Sequence, residues 1–384
     1  MFLDYEFPTR VIMQTDALAD HSELLSQFGT RAMLVIDGVM ADDHPAKQEV
    51  LFSLEFNHIE RTLFLNTRKT APTISIIEAG AALARESKVD FIVAVGCDAT
   101  LEVGKAIALL ANQDIDSASL LNHDIEHPLP VVCVPTEPAN GTDVTPEIHV
   151  AQHGLDRLTL IRNPLCAPVL TFMDPRYSAH LEKPTIVSNY LLTIGRAIEA
   201  IISEKATPIS DAMAIAALGT LSEMAGPILN LEDEANDELR EHLMLAAHQA
   251  GLATTLSESN ILEALASPLP YVSNLTLGTA YGLIIPPVIA ILQDRAPLIS
   301  DVILQSLYFS RLESLEDFLW AVIGEIIPID TYDLERCANA AADNPLIKNG
   351  VISLEFRDIA SCYAHLLADT EDEDEYVDDD EELE

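Results

Sequence analysis

Five short β-rich runs mark the first 180 residues: "RAMLVID" (31–37), "IERTLFL" (59–65), "DFIVAVG" (90–96), "PVVCVPT" (130–136) and "APVLTFMD" (167–174), most of them nearly all apolar. Between them lie stretches with helical spacing, such as "TISIIEAGAALARES" (73–87) and "ATLEVGKAIALLAN" (99–112). Strands that are apolar on both faces and separated by helices predict a parallel sheet covered on both sides, the doubly wound α/β arrangement of nucleotide-binding domains. From Thr185 onward the period changes to 3.6, in "SNYLLTIGRAIEAIIS" and "DELREHLMLAAHQAGLATTL", with Pro and Asn breakers in "SPLPYVSN" and "IIPID" and no convincing strand. The pattern predicts an α/β domain over residues 1–180 and an all-helical domain over 181–368.

Composition adds constraints. A chain of 384 residues with 49% hydrophobic content can bury a core in each of two domains. Its net charge of −41 repels nucleic acid and anionic membrane surfaces, so neither is expected as a partner. Of the last sixteen residues, "DTEDEDEYVDDDEELE", twelve are acidic, which predicts a disordered acidic tail over 369–384. Those twelve removed, −29 remains of the −41, so the acidity belongs to the whole chain and suits a saline setting or solubility. The first residues, "MFLDYEFPTR", lack the basic start and apolar run of a signal peptide, and no window approaches eighteen uninterrupted apolar residues, so a soluble cytoplasmic protein is expected. Five scattered cysteines without a C-x-x-C pair suggest buried free thiols rather than disulfides or a thiolate metal site.

Several local sequences, in order, resemble the iron-containing (group III) alcohol dehydrogenase family. "FPTRVIMQTDALADHSELL" is like that family's opening strand and helix. "DFIVAVGCDATLEVGKAIALL" is similar to its D-F-I-I-A-x-G-G-G-S-x-x-D-x-A-K-A-I-A, and "VPTEPANGTDVTP" to its P-T-T-A-G-T-G-S-E-V-T-P. "TFMDPRY", "GRAIEA", "ALASPLP" and "LGTAYGLIIPPVI" continue the likeness, which spans roughly residues 6 to 368. It implies a nucleotide domain followed by a helical, ancestrally metal-binding domain, the dehydroquinate synthase-like fold. It also implies a homodimer.

The resemblance implies a divalent ion held by an Asp and a His at i and i+4 on one helix and by two later His residues. Those positions are Leu192, Arg196, Ser267 and Leu277 in this chain, and the neighbouring proton-relay His corresponds to Asn274. Leucines and a guanidinium are not ligands. A slip in register does not restore the set, because no histidine lies between 181 and 241 or between 249 and 364. The spaced pairs His123/His127, His149/His153 and His242/His248 fall outside the metal segments and read as ordinary surface or core histidines. No metal is expected at the inherited site. Arg196 is open to two readings: a helix-surface residue paired with a carboxylate such as Glu199, or a fork for an anionic group.

The glycine turn that would meet a pyrophosphate is here Gly96, Cys97, Asp98 and Ala99. Side chains at 97 and 98 crowd that approach, and a carboxylate beside a phosphate costs on the order of 1–4 kcal/mol. Asp98 is also placed to act as a helix N-cap. The second loop keeps Thr136, Gly141 and Thr145 but carries Glu137, Pro138, Ala139 and Asn140 where the family has T-A-G-T. Asp37 stands where a ribose-binding acid would, and Arg157 at the family's basic position under the nicotinamide ribose. These remnants leave room for weak NAD(P) binding and no more.

Three functions are compatible with this sequence. One is a non-catalytic homologue with a binding or structural role, with a protein partner as one possibility. Another is a metal-independent or residual NAD(P)-dependent alcohol/aldehyde oxidoreductase that uses Arg196 as electrophile, with Tyr190 or Tyr281 as the acid. The third is a different chemistry in which Arg196 and Lys183 receive an anionic ligand.

Overall fold

The computed structural model describes residues 5–67, 71–113, 120, 125–151, 158–364 and 366–367. The acidic tail, His123, His153 and Arg157 lie outside the described residues.

The first lobe is built on six parallel strands: β1 (Arg10–Met13), β2 (Arg31–Asp37), β3 (Glu60–Asn66), β4 (Phe91–Gly96), β5 (Val131–Pro135) and, after the hairpin described next, β8 (Leu170–Met173). Their order across the sheet is β1-β8-β5-β4-β2-β3. An antiparallel pair, β6 (Glu147–Ala151) with β7 (Leu158–Arg162), forms a separate two-stranded sheet.

Alternation along the central strands distributes side chains to two cores. Ala32, Leu34 and Ile36 of β2 and Phe91, Val93 and Val95 of β4 pack with helices α1 (Ala17–Asp20) and α2 (Pro45–Phe56). Met33, Val35, Ile92 and Ala94 face α3 (Ile74–Glu86) and α4 (Asp98–Ala111) on the other side. Burial on both faces is why these strands read as continuous apolar runs.

The second lobe is helical among its described residues. Its core helices are α5 (Lys183–Ile202), α6 (Pro208–Glu223), α7 (Ala225–Leu229), α8 (Asp237–Ser257), α9 (Ile261–Ala266), α10 (Leu269–Val272) and α11 (Leu277–Arg295). Four more follow: α12 (Pro297–Ser306), α13 (Leu312–Ile323), α14 (Thr331–Ala342) and α15 (Phe356–Ala364). Caps fix the ends that matter for the site. Asn236 Oδ1 accepts from the Leu239 amide at 2.8 Å to start α8, and Thr276 Oγ1 accepts from Thr279 N at 3.1 Å to start α11. Helices α5 and α11 are long and apolar enough to span a bilayer, yet both are packed in this lobe's core. All five cysteines are buried and none is in a disulfide, as their spacing suggested.

Candidate functional site

The two loops expected to cradle a phosphate meet at the carboxyl ends of the central strands, where open α/β sheets place their ligands. Gly96 ends β4 with φ of +149°, and the Thr136 amide donates to its carbonyl at 3.0 Å, which joins the first loop to the second. A Cβ on Gly96 would stand 3.2 Å from the Cβ of Asp37, so the ribose-site candidate is adjacent to the turn. Asp37 Oδ1 is engaged by the Val39 amide at 3.1 Å, as in an ordinary Asx turn.

Asp98 is not the N-cap. Helix α4 begins at Asp98 itself, and Cys97 occupies the cap position without a side-chain capping bond. The Asp98 carboxylate instead accepts from Asn140 N across the cradle at 3.3 Å. It is half-buried, and desolvation together with Glu102 and Asp143 raises its pKa well above the usual carboxylate range. Cys97 is a neutral thiol, pushed up to about 12 by burial and by Glu137.

Behind the cradle the second loop is pinned on two sides. Lys105, wholly buried on α4, donates to the carbonyls of Thr142, Thr145 and Glu147 at 2.9, 2.8 and 2.6 Å. Gly141, with φ of +72°, lies so close to α8 that a Cβ on it would stand 2.4 Å from Gly251 Cα. Ala139 accepts from Thr193 Oγ1 of α5 at 2.9 Å. The loop is therefore stacked directly on helices of the second lobe.

Arg196 occupies the centre of that contact. It is 1% exposed, which excludes the helix-surface reading, though a carboxylate partner is present as that reading required. Its guanidinium reaches Glu147 Oε2 of β6 at 2.6 Å, Glu199 Oε2 at 2.9 Å and Ser259 Oγ at 2.5 Å. Arg162 of β7 binds the other oxygen of Glu147 at 2.9 Å. Two guanidiniums outweigh burial and hold Glu147 down at about 2.

A second set of charges adjoins the first. His149, two residues along β6, places Nδ1 2.6 Å from Glu102 Oε1 of α4, with Nε2 3.7 Å from Glu263 of α9. Burial disfavours its charged form, but the two carboxylates win and push it up to about 9. Tyr281 of α11 lies flat against Gly195, where a Cβ would meet its ring at 2.0 Å. Its hydroxyl thereby reaches Glu263 at 2.8 Å and Glu199 at 3.1 Å. Burial and the neighbouring Glu263 raise Glu199. Four acidic side chains (Glu102, Glu147, Glu199, Glu263) thus face three basic ones (Arg162, Arg196, His149).

The remaining candidates lie around this network. Leu192 is packed in the second-lobe core, Ser267 is buried with its hydroxyl unpartnered, and Leu277 is a partly buried first residue of α11. Asn274 is exposed in the preceding loop, where it lines a cavity of about 680 Å³ with Tyr271, Thr276, Ile326 and Asp330. Tyr190 donates to the Leu221 carbonyl at 2.9 Å and is a core tyrosine. Lys183 begins α5, thirteen residues and about 20 Å from Arg196, and binds the Leu231 carbonyl at 2.6 Å, so the two cations do not converge on one ligand.

Glu147, His149, Glu102 and Glu263 were not among the sequence-predicted site residues. The signal was present in "EIHVA": Ile148 and Val150 alternate into a core, which turns Glu147 and His149 to the opposite face.

Two family models match this chain in sequence: iron-containing alcohol dehydrogenase over residues 8–175, and the Fe-containing alcohol dehydrogenase C-terminal region over residues 192–317. The chain belongs to the iron-containing alcohol dehydrogenase family. Among curated relatives of this family, a probable alcohol dehydrogenase EutG of Salmonella typhimurium is 25% identical over 219 residues, 56% of this chain and 55% of that protein. A choline dehydrogenase of Bacillus subtilis is 24% identical over 295 residues, 75% and 72% of the respective chains. In its first matches the chain spans between about half and two thirds of the curated relatives' length. A crystal structure of an iron-containing alcohol dehydrogenase from Thermotoga maritima superposes with a TM-score of 0.86 at 22% identity, covering 95% of this chain and 99% of that one. The fold expected of the family, a doubly wound lobe followed by a helical one, is the fold observed.

Proposed function

We propose that this member of the iron-containing alcohol dehydrogenase family works without a metal at the inherited position and is a non-catalytic homologue with a binding or structural role. One observation carries the reading: the guanidinium of Arg196, at the inherited His position, is already neutralised by Glu147 and Glu199 at 2.6 and 2.9 Å in a buried setting. The two carboxylates that could otherwise serve a divalent ion there, Glu147 and Glu199, are committed to that guanidinium. The other donors at the inherited positions are one neutral hydroxyl, Ser267, and two leucines, which do not fit Fe²⁺ or Zn²⁺. Among the described residues no group of three or more His, Cys, Asp and Glu side chains is arranged to hold a metal ion.

The same pairing weakens the case for Arg196 as an electrophile. A guanidinium whose charge is matched by two carboxylates polarises a carbonyl far less than a free one. Tyr281, the nearest acid, is committed to Glu199 and Glu263, and burial with those two neighbours raises its pKa well above that of an ordinary phenol. The cradle, with Asp98 spanning it, supports no more than weak NAD(P) binding, whereas a structural relative, the sulfoacetaldehyde reductase of Bifidobacterium kashiwanohense, was solved with NAD+. A cytoplasmic homodimer, with a further protein partner as its binding role, completes the proposal.

The test is metal analysis for Fe, Zn and Mn on purified full-length protein, with calorimetric titration of NAD(H) and NADP(H). Substoichiometric metal and dinucleotide affinity no tighter than about millimolar are expected. Stoichiometric metal would overturn the reading, and micromolar dinucleotide binding without metal would favour a metal-independent oxidoreductase.

A further inference from the structure

We infer that Arg196 is a built-in cation that clasps the two lobes permanently, so that the cleft between them is a closed seam rather than a hinge. This rests on the metal-free reading above and adds a conformational role to it. Glu147 and His149 belong to the first-lobe hairpin β6–β7, while Arg196, Glu199, Ser259 and Glu263 belong to the second lobe. The 2.6 Å pair between Arg196 and Glu147 therefore crosses the seam, and Ser259 Oγ, 3.2 Å from Glu147 Oε2, closes a three-membered ring with them. Arg162 crosses in the same direction, donating to the carbonyls of Thr254 and Thr255 at the end of α8.

Opening the seam would leave Glu147 and Arg196 to recover water only if they became exposed, and both are at most 2% exposed in side-chain area. Partial opening strands charges in a low dielectric, so intermediate states are costly and the closed state is strongly preferred. The close stacking of Gly141 on Gly251 adds a steric match to the electrostatic one, because the helix and loop have no side chains between them to act as a cushion. The planar guanidinium sets Nη2 on Glu147 of one lobe and Nη1 on Glu199 and Ser259 of the other, a spread of fixed donors that a compact ammonium matches less well.

The test compares wild-type protein with Arg196→Met, Glu147→Leu and the double variant, following backbone amide exchange of residues 147–151 and 259–263 and the thermal midpoint. Each single variant should speed exchange at both segments by about tenfold or more. The double variant should recover most of the loss, since it removes both charges together. Arg196→Lys, which keeps the charge without the fork, should fold and show intermediate exchange, and it serves if the methionine variant does not fold. Wild-type exchange in Arg196→Met or Arg196→Lys, or a double variant that loses the sum of the two singles, would overturn the clasp. Metal content reports separately on the functional reading: a metal-free protein whose exchange ignores Arg196 loses the clasp alone, and a metal-loaded one loses the reading beneath it.

Discussion

Arg196 Nη2 and Glu147 Oε2 stand 2.6 Å apart, on opposite lobes, with both side chains out of solvent. Neither residue type is stable there alone. A buried carboxylate or guanidinium without its partner carries a desolvation penalty of several kcal/mol, so each is a condition for the other. On the proposed reading, Arg196 supplies a cation of the chain's own where a relative would bind a metal, and Glu147 and Glu199 are its partners.

Acid should act through Glu147. Its carboxyl is held at about 2 by Arg196 and Arg162 against the pull of burial, below the ordinary 4.5. A depressed carboxylate contributes stability that is present in full above the unfolded value and is lost as pH falls through the folded one. Roughly 3 kcal/mol should therefore disappear between about pH 4.5 and pH 2. Denaturant titration of wild type and Glu147→Gln across that range isolates the effect, and the wild-type curve should show the steeper fall.

Alkali should act through His149. Its folded pKa of about 9 lies above the ordinary 6.5 because Glu102 and Glu263 flank it. Stabilisation from a raised histidine is complete below pH 6.5 and declines as pH rises through 9. The expected loss is on the order of 3 kcal/mol over that interval. His149→Gln should be less stable than wild type at pH 6 and should lack this slope. Parallel stability curves for the two proteins between pH 6.5 and 9 would contradict it.

Much of the fold was legible because its signals are local and redundant. "RAMLVID" and "DFIVAVG" form β2 and β4 nearly end to end, since residues buried on both faces leave no polar position to mislead. The site was less legible. Arg196 was found by its place in a motif, but its burial was not, because Glu147 is 49 residues away in a hairpin that the apolar runs did not announce. Strands β6 and β7 carry Glu147, His149 and Arg162 on the side facing the second lobe, where polar residues interrupt the apolar pattern. Pairing partners brought together by tertiary structure leave no periodic trace.

The Gly141–Gly251 contact sets two effects in opposition. Alanine is the better helix former by about 1 kcal/mol, which favours Gly251→Ala within α8. A Cβ there would stand 2.8 Å from Gly141 Cα and 2.9 Å from Val144 Cγ2, distances at which backbone must move. Sterics should win, so Gly251→Ala is expected to lower the melting temperature. Gly141→Ala should lower it further, since φ of +72° adds backbone strain to the clash.

Ser267 offers a prediction of the opposite sign. Its hydroxyl is buried and makes no hydrogen bond among the described residues. Removing an unsatisfied buried hydroxyl relieves a desolvation cost of about 1–3 kcal/mol, reduced by the small void left behind. Ser267→Ala should therefore be neutral to stabilising in thermal unfolding. A destabilised alanine variant would mean that the hydroxyl has a bound partner, and would point back to a ligand at the inherited metal position.

The cradle predicts how dinucleotide affinity responds to repair. Asp98 places a carboxyl between the two loops, bonded to Asn140 N at 3.3 Å, and Cys97 adds a side chain where an approaching pyrophosphate needs bare backbone. Glycine at both positions would open the helix N-terminus and remove the nearest acid, while Lys105 keeps the second loop in place through its three carbonyls. Burial with Glu102 and Asp143 raises the Asp98 pKa and favours its neutral form, so the relief from glycine is chiefly steric. Cys97→Gly/Asp98→Gly should accordingly bind NAD(H) more tightly than wild type by calorimetry. Equal affinities would show that Glu137 or the closed seam, rather than Asp98, limits access.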